Sequence, residues 1–325
     1  MKAIQYSQQG SFDHLQVVDL PKPQLKSGDV LVRVTAATVT PMDAKLLLGH
    51  LPFPIPMPHI PGNGGAGYIE DAGDTAFQVG QRVILGGFYG MEDAGTWREY
   101  MAVPAVDVLP LPEQATDVEG AGLIEAYLTA YTALVYSGNL QAGQQVLVPA
   151  VGGGIGNAVV QLAKALGASQ VITTAGSTAK AEFARQAGYE PVIDLSQEPL
   201  KAGVRRIVDR QGVPLAIDSL GGPMTGQIME ALGRDGTLVI IGSSAGREIS
   251  FDGLKFMMKG LKLFGATPGD LPAEKQHAAK QHIIQLLSEG KIRPLISKTF
   301  PMTAAAQALR YMSEDRPFGR VILTL

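Results

Sequence analysis

The apolar run Val146-Leu147-Val148-Pro149-Ala150 leads straight into Val151-Gly152-Gly153-Gly154-Ile155-Gly156-Asn157-Ala158. A strand that leaves through a glycine turn and enters a helix admits few folds. The strand is expected over 145–150 and the helix over 154–166, where Ile155, Val159, Leu162 and Leu166 fall at i, i+4, i+7 and i+11 on one face. The alternation then continues. Further strands are expected over 170–174, 191–194, 215–219, 237–241 and 261–265, with helices over 179–187, 200–210 and 224–232. Strands and helices at this spacing build right-handed βαβ units and a parallel sheet with helices on both faces.

The glycines also have a chemical reading. A-x-x-G-x-x-G at a strand exit lets a backbone approach a pyrophosphate closely and aims free N–H groups at it from a helix N-terminus. Gly153, Gly154, Ile155 and Gly156 are therefore assigned to a dinucleotide, with Gly156 also serving close helix–strand packing. The strict fingerprint would carry Gly where this chain has Val151, and a purely structural turn is the alternative. The end of the next strand selects the cofactor. No Asp or Glu occurs between Gly156 and Glu182, so the usual acid for a ribose 2′-hydroxyl is missing. Gly176, Ser177 and Lys180 stand there instead and can surround a 2′-phosphate, which favours NADP(H). In the competing reading Ser177 caps the next helix and Lys180 is solvated.

The first hundred residues read differently. Short β-branched or aromatic runs at 15–18, 29–35, 67–70, 82–85 and 99–103 are separated by Pro, Gly and Asp. Alternate prolines make 51–58 a stiff loop. The tail reads as a helix over 273–290, then strand, helix and strand at 299–300, 304–312 and 320–325. At 325 residues, two domains are expected.

Composition excludes several function classes. The 27 basic and 30 acidic residues give a net charge of −3 with no long run of one sign, which argues against nucleic-acid binding. The absence of cysteine removes disulfides, a cysteine nucleophile, iron–sulfur clusters and any Cys-ligated zinc. Among the five histidines there is no H-E-x-x-H spacing. Residues 126–163 lack charge, but Gly, Asn and Gln interrupt them, so a buried helix, turn and strand is expected rather than a membrane span. Nothing at the N-terminus reads as a targeting signal, and a soluble cytoplasmic protein without membrane contact is expected.

Residues 144–168 followed by 174–185 resemble the zinc-free quinone oxidoreductase branch of the medium-chain dehydrogenase/reductase superfamily. Further matches are Pro41-Met42-Asp43, Pro61-Gly62, Gly95-Thr96-Trp97-Arg98-Glu99-Tyr100, Leu128-Thr129-Ala130-Tyr131, Asp218-Ser219-Leu220-Gly221-Gly222, Gly290-Lys291-Ile292-Arg293-Pro294 and Gly319-Arg320-Val321-Ile322-Leu323. The resemblance covers nearly the whole chain. It implies an α/β fold: a Rossmann doubly wound parallel sheet over 121–266, plus a chaperonin-10-like β-rich catalytic domain from 1–120 and 267–325. It also implies an active site in their cleft, NADPH-dependent reduction of quinones or activated alkenes such as 2-alkenals, a small-molecule substrate and a homodimer. For the cofactor it adds Thr129 at the nicotinamide end; Ser219, Gly242 and Ser243 are further cofactor candidates, and Arg316 is a weaker candidate for the 2′-phosphate.

Zinc-dependent relatives bind catalytic zinc through Cys, His and Cys, and this chain places Thr40, Asn63 and Glu125 at the matching positions. That set lacks the ligands zinc prefers, so no metal is expected. Glu125 shares an apolar stripe with Ile124, Leu128 and Tyr131 on a helix expected over 117–136. Burial there would raise its pKa and suit a proton donor; the alternative is a hydrogen-bonded Glu that fills the vacated space. Thr40 and Tyr127 are the other catalytic candidates. Two rival functions remain. Enoyl-thioester reductases of this fold carry a proton-donating Tyr near the position of Leu51, which this chain lacks. A cofactor-binding protein without turnover is the other.

Overall fold

The computed structural model describes residues 1–51, 54–208 and 211–325, and in it the expected strand–turn–helix forms. Gln145–Val148 (β1) passes through the glycine turn into Gly154–Ala165 (α1). The following strands are Gln170–Ala175 (β2), Val192–Asp194 (β3), Val213–Asp218 (β4), Leu232–Ile240 (β5) and Lys262–Gly265 (β6). They form one sheet in the order β3-β2-β1-β4-β5-β6, every neighbouring pair parallel. This is the doubly wound order. The strand sequence reverses between β1 and β4, the point at which such sheets open a crevice for a ligand. Leu147, Ile172, Ile193, Ala216 and Leu238, one from each of the first five strands, share a core with Leu200, Val204 and Ile228.

The turn after β1 is held by backbone. Ala150 takes a left-handed φ of 60°, unusual for a residue with a side chain. Its N–H donates to Thr174 Oγ1 at 3.0 Å, and the Val151 N–H to the Thr174 carbonyl at 3.3 Å, so the end of β2 pins the loop. A Cβ on Gly156 would overlap the Ala150 carbonyl oxygen. Helix and strand can meet this closely only because position 156 has no side chain.

The sheet belongs to a unit formed by Ala126–Ile292; Met1–Glu125 and Arg293–Leu325 form the other. In this other unit the strands run in the order Ile296–Pro301, Arg320–Thr324, Asp29–Val39, Gly65–Asp71, Arg82–Leu85 and Val108–Pro110, with Tyr100–Pro104 also pairing Asp29–Val39. All pairs are antiparallel except the first. Both ends of the chain thus complete one sheet, with Val321 opposite Val39 and Leu323 opposite Ala37. Val30, Val32, Val34, Ile69, Val83 and Met101 fill one of its cores.

Two sequence expectations shift, and a third lies partly outside the described residues. The division falls at 125/126 and 292/293 rather than at 120/121 and 266/267. Helix Ala273–Ser288 explains the later crossing: His282 Nδ1 lies 3.0 Å from the Tyr131 hydroxyl, and the Tyr136 hydroxyl donates to the Lys275 carbonyl at 3.2 Å. The single helix expected over 117–136 is three pieces, Asp117–Ala121, Ile124–Tyr131 and a wider turn at Thr132–Ser137. The helix expected over 200–210 is Leu200–Val208; its last two residues, and Pro52 and Phe53 of the proline loop, lie outside the described residues.

Gly156→Ala should lower stability by about 1–3 kcal/mol, the ordinary cost of forcing a methyl group into filled space. Urea unfolding of the two proteins checks this; an unchanged midpoint would mean that helix and strand have room to separate.

Candidate active site

Thr40, Asn63 and Glu125 come from three separate segments of the first unit, and a chain of hydrogen bonds links those segments. Thr40 ends the long strand Asp29–Val39 and caps the helix Pro41–Leu47. Its hydroxyl and its N–H both donate to Asp43 Oδ2 at 2.7 Å, while the Gly62 N–H donates to Asp43 Oδ1 at 2.8 Å. One residue past Asn63, the Gly64 carbonyl accepts from the Thr38 N–H at 2.9 Å. The Thr38 side chain accepts from Arg320 Nη2 at 2.9 Å, and the same nitrogen donates to Glu125 Oε2 at 2.6 Å. The Arg320 side chain is 6% exposed and that of Glu125 23%. A Cβ on Gly122 would lie 3.2 Å from Arg320 Cδ, so the glycine that interrupts the helix also makes room for the guanidinium.

Three acidic or phenolic groups share this interior. Asp43 is 1% exposed, and burial is the main cause that raises its pKa from 3.8 to about 6. The bonds from Thr40 and Gly62 oppose the rise, and the charge of Glu125 adds to it. Tyr6 is buried and its pKa is raised, first by burial and then by Asp43. Its ring meets that of His59 edge-on, and burial lowers the His59 pKa. The Asn63 side-chain oxygen is buried without a hydrogen-bond partner among the described residues.

Asp43 and Arg320 bond the candidate residues Thr40 and Glu125, and sequence reasoning left both unassigned. Both signals were available. Thr40-x-x-Asp43 is the spacing of a capping box, and Arg320 opens an otherwise apolar strand, where a charge needs a partner. Glu125 does have one, in Arg320.

The second unit carries all but one of the residues expected at a cofactor. Helix α1 is capped by Gly153, which has no side chain with which to bond the first-turn N–H groups. A Cβ on Gly153 would meet only the Ala150 carbonyl oxygen, at an ordinary 3.5 Å, so the space above the loop is open. These features fit a pyrophosphate. At the end of β2 a Cβ on Gly176 would meet nothing within 4 Å. Ser177 caps helix Thr178–Gln186, its hydroxyl accepting from the Lys180 N–H at 3.4 Å. The capping alternative is therefore realised for Ser177, and Lys180 lies half-buried in the first turn. Ser219, Gly242 and Ser243 follow β4 and β5 on two loops in close backbone contact: a Cβ on Gly221 would lie 2.7 Å from the Gly246 carbonyl oxygen. Asp218 fixes the first loop, accepting from Leu220 and Gly221 N–H at 2.8 and 3.0 Å and from Thr225 Oγ1 at 2.6 Å. Thr129 is half-buried and Tyr127 fully buried on the helix Ile124–Tyr131. Arg316 lies in the first unit at a left-handed φ of 47°. Among the described residues no three His, Cys, Asp or Glu side chains cluster so as to hold a metal.

Two protein families match, "Alcohol dehydrogenase GroES-like domain" over residues 26–113 and "Zinc-binding dehydrogenase" over residues 154–289. The chain is 30% identical to one component of the phenolphthiocerol/phthiocerol polyketide synthase of Mycobacterium tuberculosis over 99% of its own length, but spans only 15% of that protein. It is 30% identical to the synaptic vesicle membrane protein VAT-1 homolog of Danio rerio, covering 99% of this chain and 70% of the relative. It is 28% identical to human quinone oxidoreductase, covering 95% and 92%. Among solved structures, one described as an NAD-dependent alcohol dehydrogenase superposes with a TM-score of 0.93 at 27% identity, covering all of both chains.

Two measurements check this geometry. Gly153→Val should fold normally but lose NADPH binding by at least about tenfold, because its methyl groups enter the space a pyrophosphate needs. Calorimetric titration reads this, and unchanged affinity would place the phosphates elsewhere. Asp43 predicts a pH effect on stability. Between about pH 4 and 6 the native protein holds a proton that the unfolded chain has released, so stability falls as pH rises through that window. The full swing is on the order of 3 kcal/mol at about 1.4 kcal/mol per pKa unit. Urea unfolding at pH 4 and 7 should show this component in the wild type and not in Asp43→Asn; equal pH dependence in both would contradict it.

Proposed function

The chain belongs to the medium-chain dehydrogenase/reductase superfamily as a quinone oxidoreductase-like member, and we propose that it is a zinc-independent, NADPH-dependent reductase of quinones or activated alkenes such as 2-alkenals. One observation carries the reading: at the positions that the resemblance matches to a zinc site, Thr40, Asn63 and Glu125, the Glu125 carboxylate is taken by the Arg320 guanidinium at 2.6 Å. A guanidinium bound there competes with any metal for that carboxylate, and the remaining hydroxyl and amide are poor zinc ligands.

In this reading the glycine turn at Gly153–Gly156 receives the pyrophosphate. Gly176, Ser177 and Lys180 receive the 2′-phosphate. Ser219, Gly242 and Ser243 line the dinucleotide, and the Thr129 hydroxyl orients the carboxamide or ribose at its reactive end. The bound reduced nicotinamide supplies a hydride. A quinone then takes protons from water at oxygen. An activated alkene needs a proton at carbon, which the residues near the former metal position must provide. Tyr127 is buried within the second unit's core, which weakens its case as that donor. Glu125 is engaged by Arg320, which supports the space-filling alternative for it.

The remaining expectations stand on separate observations. A homodimer is supported by the edge strand β6, whose outer side has no neighbouring strand among the described residues. Phe264 on that strand, and Leu254, Met257 and Met258 of the helix Gly253–Lys259, are exposed. Among the described residues no helix is long and apolar enough to cross a membrane. A cytoplasmic location goes with this reading. The polyketide synthase match favours an enoyl-thioester substrate as the second reading, against which stands Leu51.

The test is NADPH and NADH oxidation, with EDTA present, against 1,4-benzoquinone, 9,10-phenanthrenequinone, a 2-alkenal and a long-chain enoyl thioester. The proposal expects chelator-resistant turnover of a quinone or the alkenal with NADPH. Preference for the thioester selects the second reading; binding without oxidation by any acceptor indicates a protein without turnover. Lys180→Ala should weaken NADPH binding about ten- to a hundredfold and leave NADH nearly unchanged, since a charge-assisted phosphate contact contributes about 1.5–3 kcal/mol. Equal loss for both cofactors would remove Lys180 from the phosphate site.

A further inference from the structure

We propose that the buried negative charge of Asp218, at the end of β4, favours the oxidised, positively charged nicotinamide over the reduced, neutral one, and so makes the reduced cofactor a stronger hydride donor. The proposal rests on the dinucleotide reading above, and every residue it uses lies within Ala126–Ile292.

Asp218 is 0% exposed. Its Oδ1 accepts from the Leu220 and Gly221 N–H groups at 2.8 and 3.0 Å, and its Oδ2 from the Thr225 hydroxyl at 2.6 Å. Thr225 is fully buried as well. These partners are all neutral, so the carboxylate is hydrogen-bonded but its charge is not offset by them. The turn itself needs less. Two N–H groups require only an acceptor, which an uncharged Asn would supply. Asp71 makes a similar bond to the Gly73 N–H at 3.0 Å, but in an exposed position where water solvates the charge. Burying a carboxylate costs far more than burying an amide, so a charge at position 218 exceeds what the turn demands.

The sheet fixes what lies beside this charge. β4 neighbours β1 across the switch point, with Ala216 opposite Leu147. Asp218, two residues on, is therefore level with Pro149, where the glycine turn begins. On the other side of β1 lie β2, which leads into Gly176, Ser177 and Lys180, and then β3. A dinucleotide at a switch point has its pyrophosphate at the glycine turn. With the adenosine half on the β2 side, the nicotinamide half falls on the β4 side. There the loops after β4 and β5 close over Asp218. The Ala245 N–H donates to the Leu220 carbonyl at 2.7 Å, the Ser244 hydroxyl to the Ser219 carbonyl at 3.3 Å, and the Ile241 N–H to the Asp218 carbonyl at 2.8 Å. Backbone rather than water surrounds the carboxylate, and a buried charge is screened far less than an exposed one.

Loss of a hydride, two electrons and one proton passing to the acceptor, leaves the ring positively charged. Asp218 stabilises that charge and has no comparable effect on the neutral ring. Contacts to the phosphates are common to both forms and cancel when the two are compared. Asp218 need not touch the cofactor; it acts through its field.

The test measures the dissociation constants of NADP+ and NADPH by calorimetric titration at neutral pH, with no acceptor present. Asp218→Asn keeps an acceptor for Leu220 and Gly221 and removes the charge. It should raise the ratio of the NADP+ to the NADPH constant about three- to tenfold, the scale at which one unit charge acts over the width of two strands, roughly 10 Å. For a two-electron couple this raises the potential of the bound cofactor by about 14–30 mV. Thr225→Val loses a loop bond but keeps the charge. Asp194→Asn removes a buried carboxylate at the end of β3, on the adenosine side. Both should leave the ratio unchanged, even where they weaken binding of both forms. Near-UV circular dichroism establishes folding, and Asp218→Ser takes the place of Asp218→Asn if the latter is not folded. An unchanged ratio in a folded neutral variant overturns the proposal, as does an equal rise in Thr225→Val or Asp194→Asn. If the wild type prefers NAD(H), the same ratio is read from NAD+ and NADH and decides in the same way. A wild type that binds neither pair removes the dinucleotide reading itself, and this proposal with it.

Discussion

A guanidinium buried beside a carboxylate has to be accommodated by everything around it. Arg320 sits at the start of the C-terminal strand, its side chain 6% exposed, and bonds Glu125 and Thr38 through one nitrogen. Stripped of either partner, a charge in such a place costs about 3–5 kcal/mol. The pair therefore ties the C-terminal strand to the strand that ends at Val39 and to the start of the helix Ile124–Tyr131. It also accounts for Gly122, where a side chain would press on the Arg320 stem, and so for a helix that stops at Ala121 and resumes at Ile124. The division between the two units falls beside that contact, after Glu125.

The two units solve different problems. In Ala126–Ile292 the requirement is close backbone approach, met at Gly156 and by the Gly221–Gly246 contact, and polar side chains such as Asp218 and Thr174 hold the loops in place. The result is a surface of N–H groups suited to phosphate. In the first unit the requirement is to keep charge stable in a buried interior. Arg320 answers for Glu125; Thr40 and Gly62 answer for Asp43. The same carboxylates that make the site expensive to bury give it groups able to hold or move a proton.

Much of this is legible in the sequence alone. The parallel sheet follows from strand–helix alternation, because a period switching between two and 3.6 residues can be read directly. The glycine turn is legible because only glycine suits such an approach. The helix break at Gly122 is not, since a lone glycine in a helical pattern is usually tolerated and its cause lies some 200 residues away in sequence, at Arg320. The pairing of Glu125 with Arg320 is hidden for the same reason: no local pattern states that a C-terminal strand lies against that helix. The late boundary near 292 depends on Tyr131 and Tyr136 meeting His282 and Lys275, contacts between residues far apart in the chain. Ser177 shows the opposite case, in which the local capping signal is present and the structure uses it.

The central claim is that this chain moves a hydride to its substrate without a metal. Its most direct test uses NADPH deuterated at the transferring face of C4, with a 2-alkenal as acceptor, after exhaustive chelation and metal analysis of the protein. The account predicts deuterium at the β-carbon of the saturated aldehyde, with a rate unaffected by chelation. Product without deuterium, or activity that disappears on chelation and returns with zinc, would contradict it.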